Sequence, residues 1–80
     1  MNISIMAFGI AKDLVGGRTI DFEIEFGDTV GQVLDSLNHT FPELKKLDSL
    51  LIAVNEEYAE LSYVIQSKDE LVLIPPVSGG

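Results

Sequence analysis

Residues 19–37 read TIDFEIEFGDTVGQVLDSL, and the change of period inside this stretch decides the fold. From Thr19 to Phe26, Ile20, Phe22, Ile24 and Phe26 point one way and Asp21, Glu23 and Glu25 the other. A period of two with one apolar side marks a strand that is buried on one face and wet on the other. Past Gly27-Asp28 the period becomes helical. Val30, Val33, Leu34 and Leu37 fall on one stripe, and Thr29 with Gln32 three positions on has the capping-box pattern. Asp28 suits the positive end of the helix dipole. Gly31 weakens the helix by about 1 kcal/mol relative to alanine, and the helix is expected to stop near Asn38–Thr40, ahead of Phe41-Pro42.

Upstream, Asn2 to Ile10 reads as a strand with Ile3, Ile5 and Ala7 on one face and Ser4, Met6 and Phe8 on the other. Ala11 to Arg18 is expected to be a connection, in which Gly16-Gly17 offers the positive φ angles a reversal needs, so that the first two strands form a hairpin. Downstream, Pro42 to Leu47 adds a short turn of helix. Leu50 to Val54 is an apolar run that reads as a strand buried on both sides. Asn55-Glu56-Glu57 is a turn, Tyr58-Ala59 a strand stub, Ser67 to Glu70 a second turn, and Leu71 to Ile74 the last strand. Leu44, Leu47 and Leu50 read as core. The class is α+β: a mixed sheet of about four to five strands with one main helix packed on one face, the order of the β-grasp fold. Residues 1–74 form this single domain, and residues 75–80 an extended C-terminal tail.

Bulk properties narrow the function. Eighty residues leave little volume for an internal active site. The chain has no cysteine, which removes disulfides, thiolate metal sites and a cysteine nucleophile, and with them a β-grasp ferredoxin. Without a basic-flanked apolar leader or a run long enough to span a bilayer, a cytoplasmic protein is expected. Thirteen acidic against five basic side chains give a formal charge of −8, which argues against nucleic acid and anionic membranes. A protein partner with a basic face fits that charge better.

The end of the chain, Pro75-Pro76-Val77-Ser78-Gly79-Gly80, is the unusual part. Two successive prolines cannot join a central ladder and hold the backbone extended. At about 3.3 Å per residue these six positions reach roughly 20 Å from the last strand. Small side chains, then none, suit a tail threaded into a narrow channel toward a reactive centre. A terminal carboxylate has a pKa of about 3.5 and is a poor electrophile at neutral pH. Coupling it to AMP makes a mixed anhydride that a sulfur or amine nucleophile attacks. A partner would supply ATP, magnesium and the activating side chains; this chain would bind no cofactor and contribute no catalytic side chain of its own. If the nucleophile is sulfide-level sulfur, the product is a thiocarboxylate.

Lys68-Asp69-Glu70-Leu71-Val72-Leu73-Ile74-Pro75-Pro76-Val77-Ser78-Gly79-Gly80 closely resembles the C-terminal signature of the molybdopterin synthase small (sulfur-carrier) subunit family, with Lys68 where that family commonly has glycine. Ala53-Val54-Asn55 and the opening strand through Phe8 also fit. The resemblance implies that an enzyme similar to ubiquitin-activating enzymes adenylates Gly80, that a sulfur source converts it to a thiocarboxylate, and that the tail enters the large synthase subunit. There the sulfur passes to cyclic pyranopterin monophosphate, within a heterotetramer of two small and two large subunits. Gly79 would be the slim neighbour of Gly80, and Pro75, Pro76, Val77 and Ser78 would line the large subunit's channel. Carriers for thiazole synthesis and ubiquitin-like modifiers joined to lysines share the Gly-Gly end, and an interaction domain with an inert tail is the alternative from another class.

Met6 and Phe8 fall on the sheet face opposite the expected helix. With Ile65 and Ile74 they are expected to form an apolar docking patch near the tail's root, unless a loop covers them. His39 suits a helix C-terminus and lacks companions for a metal site. Glu56-Glu57 reads as a solvated pair in a turn, and Lys12, Arg18, Lys45 and Lys46 are too few for a binding patch.

Overall fold

Alternation and helical spacing together produce one curved layer of strands with helices on a single side. The computed structural model describes residues 1–47 and 50–75. The elements are β1 (Asn2–Ala7), α1 (Gly9–Val15), β2 (Thr19–Glu23), α2 (Val30–Thr40), a 3-10 helix over Pro42–Lys46, β3 (Leu51–Val54), β4 (Glu57–Tyr58) and β5 (Leu71–Ile74). The strands lie in the order β2-β1-β5-β3-β4. β1 and β5 pair in parallel at the centre and the other pairs are antiparallel. This is the mixed sheet of the β-grasp fold.

The inward sheet face carries Ile3, Ile5, Ile52, Val54, Leu71 and Leu73, all buried. Val30, Val33 and Leu37 of α2 close over them, with Leu44 from the 3-10 helix. Each such side chain contributes about 1.5–3 kcal/mol when fully removed from water. The capping box at the start of α2 is present. Gln32 N–H donates to Thr29 Oγ1 at 3.3 Å, and Thr29 N–H donates to Gln32 Oε1 at 2.8 Å.

Two expectations need correction. The first strand does not run to Ile10: it ends at Ala7, and Gly9–Val15 is a helix rather than a connection. Ala11 and Val15, four apart, are buried, and Leu14 is half-buried against the core, so this was a second amphipathic stripe. Gly16 ends it with φ +88, and the N–H groups of Gly16 and Gly17 both donate to the Lys12 carbonyl. The second strand ends at Glu23, and Phe26 is 82% exposed. Ile24 still points into the core. Beyond it the chain turns on Asp28, whose side chain accepts from Glu25 N–H while its own N–H donates to the Glu25 carbonyl. That turn breaks the alternation.

The segment between β4 and β5 is tied down at both ends. Tyr63 and Leu61 offer their carbonyls to Val30 N–H and Gly31 N–H, satisfying donors that the first turn of α2 leaves free. A Cβ on Gly31 would stand 3.3 Å from the Leu61 carbonyl oxygen. The glycine that weakens the helix locally is what lets this segment approach.

Candidate functional site

β5 lies at the middle of the sheet and delivers the chain to Pro75 beside the β1–α1 junction. Gly9 turns there with φ +56, and a Cβ built on it would stand 3.6 Å from Pro75 Cγ. Register defines what surrounds this point. Met6 pairs with Val72 and Val72 with Ala53, which pairs in turn with Tyr58. Side chains directly opposite one another share a face, so these four make one row on the side away from the helices. Ile74 pairs with Leu51, and Phe8, whose backbone is still extended, continues the parallel register beside Ile74. Phe8, Ile74 and Leu51 are therefore a second row, at the root of the tail.

These rows are apolar and partly open to solvent. Phe8 is 47% and Leu51 51% exposed, Met6, Val72 and Ile74 are half-buried, and Ala53 is covered by its neighbours. Tyr58 stands 70% exposed at the sheet edge. Pro75 is half-buried. Ile65, expected on this patch, is instead 2% exposed within the core. Its N–H donates to the Asp28 carbonyl, and the adjoining Thr29–Val64 bridge fixes the chain so that residue 65 turns inward. Pro76, Val77, Ser78, Gly79 and Gly80 lie outside the described residues. Leu51 and Tyr58 were not among the sequence candidates. Their signal was the pairing of β3 with β5, which brings Leu51, the second residue of an apparently buried run, to the outer face.

At the other end of β5 the chemistry is polar. Asp69, 8% exposed, accepts from Asn55 Nδ2 at 2.8 Å, from Tyr63 Oη at 2.9 Å and from Gln66 N–H at 2.8 Å. Burial pushes the Asp69 carboxyl up, but the Gln66, Asn55 and Tyr63 hydrogen bonds outweigh it, and the group sits below its ordinary value. The hydrogen bond to Asp69, with burial and that carboxylate's negative charge, pushes the Tyr63 phenol up. Beside this corner is a cavity of about 370 Å³ lined by Asn55, Glu57, Tyr58, Glu60 and Tyr63 among others. It lies away from Pro75, at the Val54–Leu71 end of the β3–β5 ladder.

Among the described residues one salt bridge forms, Lys46 Nζ to Glu43 Oε2 at 2.7 Å. Also among the described residues, no cluster of three or more metal-ligating side chains occurs, and no helix is long and apolar enough to cross a membrane. His39 is exposed in the last turn of α2, where a cation suits the helix dipole.

Residues 5–80 match the model of the ThiS family. The chain is similar to the molybdopterin synthase sulfur carrier subunit of Arabidopsis thaliana, 37% identical over 100% of this chain and 84% of the relative. The crystal structure of Haloferax volcanii small archaeal modifier protein 1 superposes with a TM-score of 0.81, at 28% identity over 95% of this chain and 98% of that one. A chain from the complex of subunits 1 and 2 of the molybdopterin-converting factor of Helicobacter pylori shares the fold, with a TM-score of 0.68, at 20% identity over the whole of both chains. By sequence over nearly its entire length, and with a β-grasp sheet beside that match, the chain belongs to the ThiS family.

Proposed function

We propose that this chain is the sulfur-carrier subunit of a molybdopterin synthase. The observation that carries the proposal is the family match running to residue 80, through Pro-Pro-Val-Ser-Gly-Gly, together with full-length similarity to sulfur carrier subunits. The Gly80 carboxylate attacks the α-phosphate of ATP on a ubiquitin-activating-type partner that holds the magnesium, releasing pyrophosphate. Sulfide-level sulfur then displaces AMP and leaves a thiocarboxylate. The tail, slim at Gly79 and stiffened by Pro75 and Pro76, carries that sulfur into a large subunit and to cyclic pyranopterin monophosphate. Water supplies the oxygen that restores the carboxylate.

Phe8, Met6, Ile74 and the added Leu51 support this reading, because they place unpartnered apolar surface at the tail's root, where a large subunit would close over it. A second reading, a modifier joined to other proteins through Gly80, draws support from the likeness to small archaeal modifier protein 1. Mass spectrometry of the chain, tagged at its N-terminus and isolated from its host, tests both. Replacement of one terminal oxygen by sulfur on Gly80, with a larger subunit bound, is the expected result. Isopeptide-linked conjugates in place of the thiocarboxylate would move the function to protein modification. An unmodified carboxylate in actively cofactor-making cells would count against carriage.

A further inference from the structure

A second feature of the sheet left open among the described residues is the outer edge of β2. Sheet order leaves β2 with a neighbour on one side only. The phase of its ladder shows which residues face the open side. Ile5 pairs with Ile20 and Ile3 with Phe22, while Ala7 N–H donates to the Arg18 carbonyl at 2.8 Å and Ile24 N–H to the Met1 carbonyl at 2.8 Å. The terminal ammonium of Met1 donates back to the Ile24 carbonyl. Hydrogen-bonded and non-bonded pairs alternate in an antiparallel ladder. Arg18, Ile20, Phe22 and Ile24 therefore turn their backbone groups to β1, and Thr19, Asp21 and Glu23 turn theirs outward. Among the described residues none of these three has a backbone hydrogen bond on that side.

Natural edges are blunted by shortness, charged side chains, prolines or bulges, and of these β2 has only the charges of Asp21 and Glu23. β2 has five residues in unbroken register, with no proline, glycine or lysine. Its outer-face side chains Thr19, Asp21 and Glu23 are exposed, and no ion pair engages the two acids. Ile20 and Phe22, on the helix side, are half-buried and leave an apolar fringe along the same edge. A second copy is a poor occupant. Antiparallel pairing of β2 with itself about Asp21 sets Asp21 against Asp21, and like charges directly opposite destabilise a ladder, on chains that each carry −8.

We infer that the β2 edge takes an extended basic segment of another protein as an added strand. Thr19, Asp21 and Glu23 supply the ladder hydrogen bonds. Lysine or arginine at alternate positions meets Asp21 and Glu23, and the intervening apolar residues extend the Ile20–Phe22 fringe. β1 separates this edge from β5, so the segment leaves the Pro75 end free. The site is independent of what happens at Gly80.

The test is a titration of the full ¹⁵N-labelled chain with a short, end-blocked peptide alternating lysine and valine. A second peptide of the same sequence carries N-methyl groups on the ladder-facing amides. The amide signals of Thr19, Asp21 and Glu23 are expected to shift, and their exchange with solvent to slow by about tenfold at saturation. N-methylation, and separately Asp21→Lys with Glu23→Lys, should each weaken binding by about tenfold, a difference of about 1.4 kcal/mol. No binding, binding indifferent to N-methylation, or shifts centred on Glu57 and Tyr58 at the opposite edge would overturn the inference. Concentration-dependent shifts at β2 without peptide would overturn it in favour of a second copy.

Discussion

The two ends of β5 solve opposite problems. At the Asp69 end a buried carboxylate is met by three donors from the β3–β4 turn and the following segment, and no buried side-chain polar atom among the described residues lacks a partner. At the Pro75 end Phe8, Ile74 and Leu51 form an apolar row that stays partly open among the described residues. The first end is complete in the isolated domain, so changes there should register as lost stability. The second is left open among the described residues, and changes there should register as lost association. Phe8 makes the contrast concrete. It is the N-cap of α1, a position that favours Ser, Asp or Asn, and it makes no side-chain cap bond. A local rule of helix formation is broken where the side chain stands on the open face of the sheet.

The largest effect is expected at Ile65, which sequence alone placed on the docking patch. Ile65→Ala should destabilise the domain by about 3 kcal/mol, as a cavity under α2 demands. Chemical denaturation checks this, and a loss under about 1 kcal/mol would return Ile65 to the surface. Next is Asp69→Ala, which strands Asn55 Nδ2 and Gln66 N–H and should cost about 2–3 kcal/mol. The wild-type network also has a pH signature. The folded carboxyl holds its proton less tightly than the unfolded one, whose ordinary value is 3.8. Its stabilisation is therefore complete above that value and is lost as pH falls through the lower folded pKa. Asp69→Ala should flatten that acid limb, as urea melts across the range would show.

Phe8→Asp tests the other end. Loss of a central aromatic anchor should weaken binding to a large synthase subunit by about 2 kcal/mol, roughly thirtyfold. The same change introduces a favoured N-cap, so the free chain should be no less stable than wild type. Calorimetric titration against the large subunit, paired with a thermal melt, separates the two. A parallel fall in stability and affinity would erase the contrast between the ends of β5.

What could be read from the sequence follows the range of the interactions. The strand that opens at Thr19, the capping box at Thr29 and Gln32, the stop before Phe41 and the final strand are all set by neighbours within a few positions, and they were legible, although alternation carries the first of them to Phe26 and it ends at Glu23. α1 was missed because Ala11, Leu14 and Val15 make a short stripe whose cap residue is an aromatic. Ile65 and Leu51 were misplaced for a different reason. Their faces depend on pairings with Asp28 and Ile74, far away in the chain, which no local pattern encodes. Gly31 was legible only as a cost, since the Leu61 carbonyl that requires it arrives from thirty residues downstream. Of the apolar rows on the open sheet face, Phe8, Met6 and Ile74 followed from alternation, whereas Leu51 needed the register.

The smallest expected effect sharpens the contrast at its polar end. The β3–β4 loop has two central residues, Asn55 at φ +52 and Glu56 at φ +73, the conformation of a type I′ hairpin turn. Asn55 tolerates this and is held there: its side-chain oxygen accepts from Glu70 N–H at 3.1 Å and its amide donates to Asp69. Glu56 makes no such bond and is exposed, so it bears the steric cost of a positive φ with little return. Glu56→Gly relieves that cost and gives back some backbone entropy, for a net gain of about 0.5–1 kcal/mol. Asn55→Gly removes the anchors along with the side chain and should destabilise instead. Denaturation midpoints of the two variants should therefore move in opposite directions. If both moved up, the network around Asp69 would owe nothing to Asn55, and the claim that this end of the sheet is complete through its own polar groups would fail.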